Sequence, residues 1–192
     1  MRVFIALDPS LEAKVLLKNT INKLDAFLDT GIKWVDFSGI HLTLKFLGNI
    51  PLKDKYPLLE CIKSASSQFY ETPFSLTLGQ LGVFPKPSQP SVIWAGVSGD
   101  LGKLQRLHDL VQTEIGSLGY PTDKRAYNPH MTIGRVRRNI RQPTLDYIGK
   151  TILETSIPES KPWTVSHIHI MESALSPEGA KYTSIARAAI RP

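Results

Sequence analysis

The sequence predicts an α+β fold built from two related lobes. A strand, a helix and a second strand occur in this order twice, first from Val3 to a strand beginning at His41 and again from Val92 to a strand beginning at His130. The separation is 38 residues in both cases. Equal spacing in two such units indicates a pseudo-twofold arrangement of two halves, although the intervening helices do not match residue for residue.

Short runs of apolar residues, some continuous and some alternating with polar residues, predict the strands where Gly, Pro, Asn or Asp bound them. In chain order these cover residues 2–7, 41–47, 74–78, 91–97, 130–136, 163–171 and 182–186. The prolines at 85, 87 and 90 predict a loop before the fourth of these strands.

Apolar residues at helical spacing predict helices over about 11–28, 53–70, 100–118 and 144–153. Ser10 offers a cap to the first helix, and Gly119 ends the third. The predicted apolar side of the first helix consists of Leu11, Val15, Leu16, Leu17, Ile21, Leu24 and Leu28.

The composition is that of an ordinary globular protein. With 192 residues, 42% hydrophobic and 21% charged, we expect one domain over 1–192 whose two lobes contain the repeat units 2–48 and 91–136. No apolar run approaches the roughly 18 residues of a spanning helix, and Asp8-Pro9 stops the opening run too early for a secretory signal. The single cysteine, Cys61, cannot form an intramolecular disulfide. We therefore expect a cytoplasmic protein without a membrane segment.

Positive charge is concentrated around His130. The formal net charge is +6, and the stretch 124–141 contains no acidic residue. Its basic residues are Lys124, Arg125, Arg135, Arg137, Arg138 and Arg141. This distribution favours a polyanionic partner, with a solvated basic face as the alternative.

The two repeated strands carry the same motif, His-x-Thr followed by an apolar residue. It reads His41-Leu42-Thr43-Leu44 in the first half and His130-Met131-Thr132-Ile133 in the second. Because side chains alternate along a strand, each half presents one imidazole and one hydroxyl on the same face. If the halves face each other, the cleft has a base, an acid and donors for phosphoryl oxygens, which in-line displacement at phosphorus requires.

On these motifs the chain resembles the 2H phosphoesterases, and within them the RNA 2′,3′-cyclic phosphodiesterases also called 2′-5′ RNA ligases. The resemblance covers nearly the whole chain. It includes residues 2–7, Trp34-Val35, residues 41–48, residues 82–85, residues 94–97, residues 129–135, Glu172-Ser173, Pro177, Gly179 and Tyr182.

This resemblance implies antiparallel sheets with flanking helices and an active-site cleft between the lobes. It implies that His41 protonates the leaving 3′ oxygen, that His130 activates water, and that Thr43 and Thr132 hold phosphate oxygens. The implied partner is RNA with a 2′,3′-cyclic phosphate end, on tRNA fragments or oligonucleotides. The implied product is a 2′-phosphate, and the reverse reaction is 2′-5′ ligation without ATP. We expect no metal, no cofactor and a monomer.

Two further residues are candidates for substrate binding. Arg135 resembles a phosphate-binding arginine of the family, but strict alternation places it opposite His130, so a bulge or twist at Gly134 is required. Lys45 shares the predicted face of His41 and Thr43. It is expected either to contact the RNA backbone or to be a solvated lysine.

The other three histidines have structural or metal-binding interpretations, and two other functions compete with the phosphodiesterase. His167 and His169 share a strand face and form a possible metal pair, but no cysteine or carboxylate cluster accompanies them. His108 is expected to pack on the apolar side of the third helix. The competing functions are a nonenzymatic nucleotide- or RNA-binding module and a metal-dependent phosphohydrolase, which lacks an acidic ligand set near either motif.

Overall fold

The structure, a computed structural model, describes residues 1–28, 31–70, 73–176 and 179–190. Within these residues the strands are β1 (Arg2–Leu7), β2 (Ile32–Trp34), β3 (Leu42–Asn49), β4 (Phe74–Lys86), β5 (Gln89–Gly99), β6 (His130–Val136), β7 (Trp163–Val165), β8 (His167–Ser176) and β9 (Gly179–Ala189). The helices are α1 (Leu11–Phe27), α2 (Lys55–Gln68), α3 (Leu101–Ser117) and α4 (Gln142–Glu154). Pro177, one of the residues that carry the resemblance, lies outside the described residues. No helix in the described part of the chain has the length and apolar character needed to cross a membrane.

The strands form two antiparallel sheets. The first has the order β3-β1-β8-β9 and the second the order β2-β6-β5-β4-β7. β3 of the first sheet lies next to β6 of the second, so the two motif strands meet between the sheets. The predicted α+β fold with two antiparallel lobes and flanking helices is confirmed.

The motif strands of the two predicted repeat units pair with their neighbours in the same way. Thr43 pairs with Ala6 in the first sheet, and Thr132 pairs with Trp94 in the second. The strand that corresponds to β1 is therefore β5, and Ala6 corresponds to Trp94. By this register Val92 corresponds to Phe4 rather than to Val3. The separation between equivalent residues of the two strands therefore differs by one residue between the two halves.

The buried side of α1 differs from the prediction. Leu11 and Val15 are 70% and 44% exposed, whereas Ala13 and Thr20 are buried. Ala13 is two residues, about 200° around the helix, from both Leu11 and Val15. The buried stripe is therefore Ala13, Leu17, Thr20, Ile21 and Leu24.

The proline-rich segment is a hairpin and not the predicted loop. β4 and β5 pair as far as Lys86 and Gln89, and Pro85 pairs with Pro90. Proline has no backbone N–H to donate to the neighbouring strand. Because both prolines occupy the same pair, only this one position lacks these hydrogen bonds, and the strands continue through it to the turn.

The predicted strand over 163–171 is two strands that belong to different sheets. β7 pairs with β4 in the second sheet, and β8 pairs with β1 and β9 in the first. Ser166 lies between them, where the chain crosses from one sheet to the other. β9 extends beyond the predicted 182–186 at both ends, and β4 continues from the predicted 74–78 to Lys86. β2 was not predicted, and the other helices and strands lie where they were predicted, with shifted ends.

Candidate active site

Both His-x-Thr motifs face one cleft between the two sheets. The cleft has a volume of about 370 Å³, and His41, Thr43, His130 and Thr132 line it. The apolar residues of the motifs point the other way and are buried: Leu42, Leu44, Met131 and Ile133. The alternation of each strand therefore brings two imidazoles and two hydroxyls to the same cavity.

The two imidazoles are held in the same way. His41 Nδ1 lies 2.7 Å from the Gly39 carbonyl oxygen, and His130 Nδ1 lies 2.7 Å from the Asn128 carbonyl oxygen. A carbonyl cannot donate, so Nδ1 carries the hydrogen in both rings. In the neutral state Nε2 is then the basic nitrogen of each imidazole, and it is the nitrogen free to exchange a proton with a ligand.

His41 is packed between aromatic rings on the first lobe. Its ring centroid is 4.5 Å from that of Phe4 and 5.0 Å from that of Tyr182, which meets it edge-on. The pKa of His41 is lowered from 6.5 to about 4. Burial is the main cause, the hydrogen bond to Gly39 opposes the shift, and the charge of Lys14 contributes to it. His41 is therefore neutral near pH 7 when no ligand is bound.

His130 has a comparable setting on the second lobe. Phe84 meets its ring edge-on with a centroid distance of 5.0 Å, and the Trp94 ring lies 6.2 Å away. Trp94 can lie flat on the sheet because its cross-strand neighbour is Gly82, where a Cβ atom would be 2.2 Å from the indole. Both imidazoles are thus fixed by a backbone carbonyl on one side and aromatic rings on the other.

Both motif strands have a β-bulge directly after the threonine. In β3, Thr43 pairs with Ala6 and Lys45 with Ile5, which leaves Leu44 without a partner. A bulge adds one residue to the strand and so reverses the alternation beyond it.

The same bulge occurs in β6. Thr132 pairs with Trp94 and Gly134 with Ile93, which leaves Ile133 without a partner in β5. Gly134 then turns toward the interior, where a Cβ atom would be 2.8 Å from the Trp34 ring. Arg135 consequently lines the cleft, as the required bulge near Gly134 allows.

The bulge in β3 makes the expectation for Lys45 wrong. Lys45 is 2% exposed and faces away from the cleft. Its ammonium donates to Gln112 Oε1 at 2.6 Å and to the Pro121 carbonyl at 2.7 Å, and lies 3.9 Å from Asp123 Oδ2. Lys45 is therefore neither a backbone contact for RNA nor a solvated lysine.

Three cleft residues were missed in the sequence. Phe46 takes the position in β3 that Arg135 takes in β6, and it lines the cleft with 66% of its surface exposed. Arg2 and Tyr182 line the same cleft. An exposed aromatic ring beside phosphate-binding groups can stack on a nucleobase. The position of Phe46 in the cleft follows from the bulge in the pairing of β3 with β1, which the sequence alone does not show.

The remaining histidines lie outside this cleft. His108 is buried on α3 and stacks on Tyr127 with a centroid distance of 4.0 Å. The rings of His167 and His169 are 6.1 Å apart, and their Nδ1 atoms lie within hydrogen-bonding distance of Ser166 and Ser184. Across the described residues, no group of three or more His, Cys, Asp or Glu side chains is placed to hold a metal ion.

Comparison with known proteins agrees with this geometry. Residues 16–176 match the model of the 2′-5′ RNA ligase superfamily. The chain belongs to this superfamily. The resemblance to the RNA 2′,3′-cyclic phosphodiesterases of the 2H group is thereby confirmed.

Individual relatives in the superfamily cover most of the chain. An RNA 2′,3′-cyclic phosphodiesterase of Aeropyrum pernix is 31% identical, with 84% of this chain and 89% of the relative aligned. The protein of that name from Methanothermobacter thermautotrophicus is also 31% identical, with 96% of each chain aligned. The crystal structure of TT0787 of Thermus thermophilus superposes with a TM-score of 0.77 at 25% identity, over 100% of this chain and 98% of that one.

Proposed function

We propose that this protein hydrolyses the 2′,3′-cyclic phosphate at the 3′ end of an RNA and leaves a 2′-phosphate. One observation carries the proposal: two imidazoles with Nδ1 held by backbone carbonyls share one cleft, each with a threonine of the same motif. The free Nε2 atoms are then available to move protons on opposite sides of a phosphate.

The reaction is an in-line displacement at phosphorus. His130 Nε2 takes a proton from water, and the water oxygen forms a bond to phosphorus. The bond from phosphorus to the 3′ oxygen breaks, and His41 Nε2 supplies the proton to that oxygen. The hydroxyls of Thr43 and Thr132 and the guanidinium of Arg135 donate to the phosphoryl oxygens as charge accumulates there. The products are a 2′-phosphate and a 3′-hydroxyl.

The acid role of His41 depends on the substrate. Its pKa of about 4 in the free protein leaves it neutral near pH 7. A cyclic phosphate is an anion, and an anion in contact with Nε2 favours the imidazolium form. We therefore expect His41 to gain its proton together with the substrate, at a pH between its free and its bound pKa.

The nature of the cleft supports RNA as the substrate. Arg2 and Arg135 offer positive charge and Phe46 an aromatic face, which together suit a nucleotide. The relatives are named for RNA 2′,3′-cyclic phosphate. The same groups can run the reverse reaction, in which a 5′-hydroxyl replaces water and a 2′-5′ linkage forms without ATP. The name of the superfamily agrees with this second reaction.

A nonenzymatic binding module is the less favoured alternative. Such a module needs the donors to phosphate but does not need two imidazoles in the same tautomer. The relatives that match nearly the whole chain are named as phosphodiesterases.

The proposal is tested with a short RNA oligonucleotide that ends in a 2′,3′-cyclic phosphate, followed by ³¹P NMR. We expect the cyclic resonance to be replaced by that of a 2′-phosphate monoester. The same oligonucleotide with a 3′-phosphate serves as the control and should be unchanged. A cyclic phosphate that is bound and remains intact would support the binding module, and a 3′-phosphate product would show that the other ring bond breaks.

A further inference from the structure

Two basic side chains lie directly opposite each other at the edge of the second sheet. Lys33 of β2 pairs with Arg135 of β6 in an antiparallel register. Residues directly opposite in such a pair project to the same side of the sheet, with Cβ atoms about 4.5–5.5 Å apart. Lys33 and Arg135 therefore form one positive patch.

This patch faces the catalytic cleft. Arg135 lines the cleft, and so does Val35, which is two residues after Lys33 on the same side of the chain. Trp34, the residue between them, faces the other way, since its ring covers Gly134 and its indole N–H donates to Asp25 at 2.7 Å. Lys33 thus lies one strand farther out from the catalytic residues than Arg135.

The folded chain gains little from this pair. Like charges directly opposite each other on a sheet are destabilising, and both side chains are exposed. Among the described residues, no carboxylate forms an ion pair with either of them. A lysine on an edge strand can protect against aggregation, but this does not account for the arginine opposite it in the cleft.

We propose that Lys33, together with N–H groups of Arg135 that the cyclic phosphate does not use, forms a second phosphate position, which binds the phosphodiester on the 5′ side of the terminal nucleotide. This inference rests on the proposed function, since the cyclic phosphate itself occupies the space between the two histidines. Adjacent strands are about 4.8 Å apart, so Lys33 is anchored one strand farther from the two histidines than Arg135, on the side where the next phosphate of a bound RNA can lie. A phosphodiester is anionic at all working pH values and suits two fixed cations.

The test compares two substrates. One is a nucleoside 2′,3′-cyclic phosphate with a free 5′-hydroxyl, and the other is a dinucleotide with the same cyclic end and one internal phosphodiester. We expect the unmodified protein to have the higher kcat/KM on the dinucleotide. In Lys33→Ala the ratio of kcat/KM for dinucleotide over nucleoside should fall about tenfold, the usual scale for losing one charged contact. In Lys33→Arg the ratio should be retained.

Lys63→Ala is the matched control. Lys63 is an exposed lysine of α2 that already pairs with Glu60 at 2.8 Å, and its removal should leave the ratio unchanged. An unchanged ratio in Lys33→Ala, or equal losses on both substrates, would overturn the second phosphate position while the proposed function stands. If the unmodified protein hydrolyses neither substrate, the proposed function fails and this inference fails with it.

Discussion

His41 and His130 are equivalent in backbone position, and the proposed mechanism gives them different roles, acid and base, which can be tested one residue at a time. Replacing either by Ala should lower turnover on a cyclic-phosphate RNA by roughly 10²- to 10⁴-fold, the usual scale for a general acid or base. The double variant should lose far less than the product of the two losses, because acid and base act in one concerted step.

His167→Ala is the control for this experiment. His167 Nδ1 is likewise within hydrogen-bonding distance of an oxygen, the Ser166 hydroxyl at 2.9 Å, but His167 lies away from the cleft, so turnover should be unchanged. Full activity in His41→Ala or in His130→Ala would remove that histidine from the mechanism.

The buried imidazole of His41 should also make stability depend on pH. Its pKa is about 4 in the folded state, against about 6.5 when unfolded. Between these values the unfolded chain binds more protons than the folded one, so stability is complete above pH 6.5 and falls as the pH drops toward 4. The loss approaches about 3 kcal/mol.

Urea unfolding at pH 7 and at pH 4.5 measures this loss. We expect unmodified protein to lose more stability than His41→Gln over the same interval. His169, whose pKa is also lowered by burial, contributes in both proteins and cancels in the comparison. Equal losses of stability in the two proteins would mean that protonation of His41 costs no folding free energy and that burial does not keep its imidazole neutral.

At the scale of strands and helices, the decisive feature is the bulge after each motif threonine. The sequence predicted correctly that the side chains of His41, Thr43, His130 and Thr132 face the cleft, because the alternation of side chains is regular up to the bulge. It failed for Lys45 beyond the bulge. Bulges are defined by the pairing with another strand, and residues 41–47 do not contain the information that Ala6 and Ile5 pair with Thr43 and Lys45.

The same limit applies to other elements. Helical periodicity located all four predicted helices, since it is a local property. The strand over 163–171 was predicted as continuous, because its change of sheet at Ser166 depends on β1 and β4, which are distant in sequence. The hairpin through Pro85 and Pro90 was missed because a proline in the sequence does not show which residue it pairs with. Only the pairing of Pro85 with Pro90 shows that neither residue needs a hydrogen-bond donor from the other.

Lys45 connects β3 with α3 and with the loop before β6, and removing it should destabilise the fold. In Lys45→Met the Pro121 carbonyl loses its donor, and Gln112 Oε1 keeps only the backbone N–H of Asp123 at 3.2 Å. A buried acceptor left without a partner costs about 1–3 kcal/mol, so we expect a loss of about 1–3 kcal/mol. The urea midpoint measures it.

Lys63→Met provides the comparison for Lys45→Met. Lys63 is about half exposed, and surface substitutions usually change stability by less than about 0.5 kcal/mol. A Lys45→Met variant as stable as Lys63→Met would show that Gln112 and Asp123 satisfy each other without the ammonium.

For the whole molecule, the motif shared by both lobes makes the cleft symmetric in its histidines and threonines and asymmetric around them. Each lobe supplies a histidine, a threonine and one side chain delivered beyond the bulge, which is Phe46 in the first lobe and Arg135 in the second. An aromatic ring on one side and a guanidinium on the other fit a nucleotide in one orientation.

The sequence revealed the two halves but not how the sheets are completed. The repeat spacing predicted the lobes because both motifs lie within local strand-helix-strand units. β8 and β9, near the end of the chain, add the outer half of the first sheet next to β1. They deliver Tyr182 to the cleft, and no local pattern specifies that neighbour.

The composition of the cleft as a whole predicts how the reaction responds to a chelator. Its described lining offers imidazoles, hydroxyls, guanidiniums and aromatic rings, but no carboxylate, whereas divalent cations that bind phosphate usually require oxygen ligands from carboxylates. The imidazoles already provide both proton transfers. Hydrolysis of a cyclic-phosphate RNA should therefore have the same rate before and after dialysis against a strong chelator, with a magnesium-dependent nuclease treated alongside to show that the chelator acted. A rate that collapses and returns with zinc would contradict this, and would make the His41 and His130 pair a metal-binding pair instead of an acid and a base.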